Sequence, residues 1–80
     1  MNIKIIAFGI ARDIIGGNHT TLACDKETTV KQAFSLLTEK YPDFIKLSSL
    51  KMAINEEYVP DDFAITEGDE LVLIPPVSGG

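Results

Sequence analysis

Residues 3–8 read IKIIAF, a β-branched and apolar run whose alternation is that of a strand, with Ile3, Ile5 and Ala7 on one face and Lys4, Ile6 and Phe8 on the other. Apolar side chains therefore stand on both faces. Residues 70–74, ELVLI, share that property, because their LVLI core offers no polar face. Strands that are apolar on both sides suit the inside of a sheet and parallel neighbours better than a solvated edge. The arrangement that follows sets the first and last strands side by side and parallel.

Outward from the first run, residues 13–18 end in Gly16-Gly17-Asn18, a turn composition, and residues 20–24 (TTLAC) form a second short strand. Thr29 and Gln32 make a T-x-x-Q capping box. Val30, Ala33, Phe34, Leu37 and Tyr41 follow at spacings that place them on one side of a helix. Pro42 ends that helix, since proline donates no hydrogen bond and restricts its predecessor. Residues 44–50 read as irregular or briefly helical. Residues 52–55 and 58–59 read as a small hairpin turning at Glu56-Glu57, and residues 66–69 (TEGD) as the turn before the last strand.

Strand, strand, helix, short strands and strand within 80 residues predict an α+β fold. The specific expectation is a β-grasp (ubiquitin-like) mixed sheet with one main helix packed on one face. A ferredoxin-like fold fits the periodicity too, but usually needs a second helix. The domain is expected over residues 1–76, and residues 77–80 as a flexible C-terminal tail.

A chain of this length holds a single core, burying about 60% of its unfolded surface, so an interior cofactor pocket would consume much of what stabilises it. Twelve acidic against seven basic residues give a net charge of −5, which repels phosphate backbones and anionic lipid. Nucleic acid and membrane are poor partners for such a chain. Cys24 is the lone cysteine, so neither an internal disulfide nor a thiolate cluster can form; it shares a strand face with Leu22 and reads as a small apolar residue. His19, the lone histidine, reads as a turn or strand-start residue. With no signal-peptide pattern and no apolar run of membrane-spanning length, the cytoplasm is the expected location.

No phosphate loop, ligand set or nucleophile-base pair is legible inside the chain. The pairs Glu56-Glu57 and Asp61-Asp62 read as solvated turn carboxylates. The terminus is different. Pro75-Pro76 stiffens the exit from the sheet in an extended direction, and Val77, Ser78, Gly79 and Gly80 follow as a slender probe with little to anchor it. A glycine carboxylate is unhindered. Once condensed with ATP it becomes an acyl-adenylate, and sulfur transfer to its carbonyl makes a thiocarboxylate. The chain lacks a nucleotide site, so a separate enzyme must do the adenylation.

Over essentially its whole length the chain resembles the MoaD-type sulfur carriers of the ThiS/MoaD family, the small subunits of molybdopterin synthase. Residues 5–16 (IIAFGIARDIIG) resemble that family's opening strand and F-x-x-x-R-x-x-x-G pattern, with Phe8, Arg12 and Gly16 in place. Thr29-Val30 resembles its helix start, Ala53-Ile54-Asn55 with Tyr58-Val59 its hairpin, and Gly68-Asp69-Glu70 with Pro75-Pro76-Val77-Ser78-Gly79-Gly80 its closing turn and tail. Thiamine-pathway carriers share the terminal Gly-Gly but usually lack the opening pattern.

The resemblance implies that Gly80 is adenylated by a MoeB-like, E1-related enzyme, converted to a thiocarboxylate, and threaded into a large subunit to supply sulfur for the molybdopterin dithiolene. It implies a heterotetramer of two small and two large subunits, with the catalytic side chains on the large ones. The chain would then be no enzyme by itself and would hold no cofactor stably, ATP being used by the activating enzyme. The residues expected to meet partners are Ile6 and Phe8, Arg12, Val72 or Ile74 beside them, and the tail from Pro75 through Pro76, Val77 and Ser78 to Gly79. One helix cannot cover both sheet faces, so an apolar patch beside the tail is expected to stay open for docking. The other readings are a carrier for thiamine or transfer-RNA thiolation, and a ubiquitin-like binding module or modifier.

Overall fold

In the computed structural model, which describes residues 1–47 and 50–75, the two doubly apolar runs are neighbours. β1 (Asn2–Ala7) lies parallel to β5 (Glu70–Ile74), with Ile5 level with Leu71 and Ile6 level with Val72. β2 (His19–Ala23) pairs antiparallel with the other side of β1. β3 (Lys51–Ile54) pairs antiparallel with β5 and turns into the two-residue β4 (Glu57–Tyr58). The mixed sheet runs β2-β1-β5-β3-β4, the expected β-grasp order with the last strand at its centre.

The main helix, α2 (Val30–Lys40), starts at the capping box. The Thr29 hydroxyl accepts the Gln32 N–H at 3.2 Å, and the Gln32 side chain accepts the Thr29 N–H at 3.0 Å, which satisfies two donors that a helix start leaves without partners. Val30, Ala33 and Leu37 are fully buried against Ile3, Ile5, Leu71 and Leu73 of the sheet's inner face. The helix stops at Tyr41, and Pro42 opens a 3-10 helix, Pro42–Lys46, that delivers Phe44 into the core. There the ring meets Phe34 and Tyr41 edge-on, at centroid distances of 6.0 and 6.2 Å, a favoured aromatic geometry.

Two local readings need correction. Residues 13–15, read with the turn that ends at Asn18, instead close a helix, α1 (Gly9–Ile15). Ala11 is its buried anchor, with Ile14 and Ile15 packed against the core, and Gly16 closes it in the left-handed conformation at φ 78°. The hairpin turns at Asn55-Glu56 rather than Glu56-Glu57. Both residues have positive φ, 49° and 73°, as a two-residue turn matched to strand twist requires. Asn55 tolerates that conformation and uses its side chain as well: its amide donates to Asp69 at 3.0 Å and accepts the Glu70 N–H at 3.0 Å. The hairpin is thereby clipped to the start of β5.

Candidate functional site

The parallel register of β1 and β5 decides which side chains share the sheet's outer face. Ile6 lies level with Val72, Val72 with Ala53, and Ala53 with Tyr58, so a single apolar row crosses four strands. Residue spacing of two puts Ile74 on the same face as Val72, which answers the open choice between them: both belong. Phe8 stands beyond the end of β1, and its backbone is extended, φ −128° and ψ 158°. Together these residues form a shallow groove of about 330 Å³, flanked by Glu56 and Glu70.

This face is open where the inner face is sealed. Phe8 is 55% exposed and Tyr58 68%, while Ile6, Val72 and Ile74 are half-buried. Sealing a side chain such as Phe8 against an apolar partner contributes on the order of 1–2 kcal/mol. Charges sit at the border: Lys4 reaches Glu70 at 3.8 Å, and the Lys51 ammonium lies 6.0 Å from the centre of the Tyr58 ring. A larger concavity, about 740 Å³, lies between residues 23–28 and α2. It is lined by Asp25, Lys26, Glu27 and Glu39 and sits at the Asn2 end of β1, where Ala23 pairs. Because β1 and β5 are parallel, that is the end of the sheet remote from Pro75.

Pro75 follows β5 directly, half-buried, so the chain leaves the sheet at the border of the open face. Pro76, Val77, Ser78, Gly79 and Gly80 lie outside the described residues. Arg12 is not brought into the groove. It sits exposed on α1, and its backbone explains the F-x-x-x-R-x-x-x-G spacing. The Phe8 carbonyl accepts the Arg12 N–H at 3.4 Å, and the Arg12 carbonyl accepts the N–H groups of Gly16 and Gly17 at 3.0 and 3.2 Å. The motif frames two turns of helix from cap to cap.

Sequence reasoning missed the contributions of Ala53, Tyr58, Glu56 and Glu70 to this face. Their signal is the strand order, which places β3 and β4 beyond β5 and cannot be taken from periodicity alone. Among the described residues, no three His, Cys, Asp or Glu side chains are grouped to hold a metal, and no helix is long and apolar enough to cross a membrane. What this arrangement can do is offer an apolar surface to another protein beside the point where the chain leaves β5.

Comparison with known proteins agrees with that chemistry. A relative from Arabidopsis thaliana named molybdopterin synthase sulfur carrier subunit is 35% identical over 81 residues, covering 100% of this chain and 84% of that protein. Among solved structures, SAMP1 from Haloferax volcanii superimposes with a TM-score of 0.88 at 25% identity over 100% of both chains. A chain from the protein–protein complex of subunits 1 and 2 of molybdopterin-converting factor from Helicobacter pylori 26695 does so with a TM-score of 0.71 at 23% identity, again over 100% of both. The β-grasp fold and the resemblance to sulfur carriers read from the sequence both agree with these likenesses. With the ThiS family profile matching residues 5–80, the chain belongs to the ThiS family.

Proposed function

We propose that this chain is the sulfur-carrier subunit of a molybdopterin synthase, and that Gly80 carries the sulfur. The observation that supports the reading most is the placement of an open apolar face at the end of β5 from which the Pro-Pro-Val-Ser-Gly-Gly segment departs. A carrier needs both parts: a surface that binds its partner and a slender end that reaches the partner's catalytic groups. The full-length likeness to the Arabidopsis sulfur carrier subunit supplies the pathway, and the Helicobacter pylori complex of subunits 1 and 2 supports a large subunit as the docking partner.

The chemistry follows from the carboxylate. On a separate MoeB-like, E1-related enzyme the Gly80 carboxylate attacks the α-phosphorus of ATP and pyrophosphate leaves. A sulfur nucleophile then adds to the acyl-adenylate carbonyl and AMP leaves, giving the thiocarboxylate. In a synthase of two small and two large subunits, that sulfur attacks the pterin precursor, and water returns the acyl group to a carboxylate. The side chains that promote this last step belong to the large subunit. This chain contributes binding energy through Ile6, Phe8, Val72 and Ile74 and holds no cofactor of its own. The cytoplasm, where ATP and reduced sulfur are available, suits the reaction.

The test uses the purified chain with activating enzyme, ATP and a sulfur source, read by mass spectrometry. A carrier shows exchange of one oxygen for sulfur at Gly80; a modifier shows conjugates instead. Deleting Gly80, or adding one residue after it, is expected to leave the melting temperature nearly unchanged while sulfur transfer falls about 100-fold or more. Deletion withdraws the reacting carbon by about 3.5 Å, and misplacement by even about 1 Å can cost on the order of 100-fold in rate. Wild-type transfer by either variant would remove Gly80 from the reaction.

A further inference from the structure

We infer that Glu56 selects the docking partner by demanding a basic side chain from it: the surface that seals the open apolar face carries a lysine or arginine set against the Asn55-Glu56 turn. The inference rests on the sulfur-carrier reading and deepens it by naming what the large subunit must bring. Two carboxylates border the groove, Glu56 and Glu70, and they differ in what they already have. Glu70 reaches Lys4 at 3.8 Å. Glu56 is exposed and pairs with no lysine or arginine among the described residues. Lys51, two residues from Ala53 and so on the same side of the sheet, lies over the Tyr58 ring instead, 6.0 Å from its centre.

A partner that covers Ile6, Ala53, Tyr58 and Val72 also removes water from the border of the groove. A purely apolar surface laid there would strip solvation from Glu56 and return nothing, which disfavours docking. A basic side chain at that place turns the same carboxylate into an attraction. Glu70, with Lys4 beside it, makes no such demand. Glu56 thus separates apolar surfaces that carry a cation from those that do not. The strand register fixes where the cation stands. Ile54 is level with both Leu71 and Glu57, so the turn lies at the Glu70 end of β5, about 13 Å along the strand from Ile74 and away from Pro75. The turn itself is poorly served by this residue. Glu56 has φ 73° at the second position of a two-residue hairpin turn, where glycine is favoured and a side chain is not. Asn55 before it suits the turn and is clipped to Asp69 and Glu70, which holds Glu56 at a fixed point on the border. Glycine would be the better residue for the fold, and glutamate is the better one for the face.

The experiment measures the dissociation constant for the purified large subunit, and the melting temperature of the free chain, for wild type and single variants. Glu56→Gln keeps the shape and removes the charge; it is expected to weaken binding about threefold to tenfold at about 50 mM salt, with the gap narrowing at about 500 mM. Glu56→Lys meets the partner's cation with a like charge and is expected to weaken binding about 30-fold or more. Glu39→Gln removes the same charge beside the larger concavity and is expected to change affinity less than about twofold. Glu56→Gly is expected to move the two readouts in opposite directions. Its melting temperature rises by about 2–6 °C as the turn relaxes, while its affinity falls as far as that of Glu56→Gln. Undiminished affinity for Glu56→Gln overturns the inference and leaves the carrier reading standing. So does an equal loss for Glu39→Gln, which would mean attraction by net charge alone. A wild-type chain that does not bind the large subunit overturns both.

Discussion

The two faces of the sheet are built from alternate residues of the same strands and meet opposite fates. On the inner face Ile3, Ile5, Leu71 and Leu73 are buried beneath α2 and the 3-10 helix, each at 1% exposure or less. On the outer face Ile6, Phe8, Val72 and Ile74 are as apolar, and nothing among the described residues seals them. Composition therefore does not distinguish the core from the open face in this chain. Cover does, and a chain this short forms only one long helix to provide it. The apolar residues left over form the open face on which the proposed docking rests.

The comparison breaks most visibly through neighbours on β1. Ile5→Asp places an unpaired charge at a position with 0% exposure, a cost of about 4 kcal/mol or more. A domain of this length has about 4–12 kcal/mol of stability in all. Loss of the cooperative thermal transition is the expected result, and a folded Ile5→Asp variant would mean that the inner face is not the core.

Phe8→Asp makes the same chemical change on the outer side. The melting temperature is expected to stay within about 5 °C of wild type, since the side chain is largely solvated and aspartate is a favoured helix cap. Affinity for the large subunit, measured by calorimetry, is expected to fall about tenfold or more, or about 1.4 kcal/mol. Undiminished affinity would take Phe8 out of the interface.

The smallest effect belongs to the border of the open face. Lys4 and Glu70 pair at 3.8 Å with about half of each side chain exposed, 51% and 47%. Lys4→Ala is expected to cost less than about 0.5 kcal/mol, a shift in melting temperature within about 4 °C. A larger shift would show that this border carries structure as well as charge.

The features legible in the sequence were those specified locally. Thr29 and Gln32 lie three residues apart, so their mutual capping needs nothing from the rest of the chain, and Pro42, with no N–H to donate, cannot extend the helix before it. The two faces of β1 could be read from alternation, and the parallel neighbour from the apolarity of both. α1 was missed because seven residues are too few to be helical by propensity alone. It stands because Ala11, Ile14 and Ile15 dock on the core, and the signal available was their spacing ahead of the closing glycine at position 16. The hairpin turn was misplaced by one residue because Asn55 was read as part of a strand, although asparagine is among the residues that best accept positive φ. Tyr58 could not be assigned to the open face because its place there depends on which strands are neighbours.

The central position of β5 also determines how the domain responds to a pull. A partner that grips the chain beyond Pro75 tugs on a strand hydrogen-bonded along both sides, parallel to β1 and antiparallel to β3. Traction along the strand loads these ladders in shear, so the hydrogen bonds share the force and do not open one at a time as they would in an edge strand being peeled. With β5 at the middle of the sheet, the domain would withstand such traction without unravelling, where a strand at the edge would peel away.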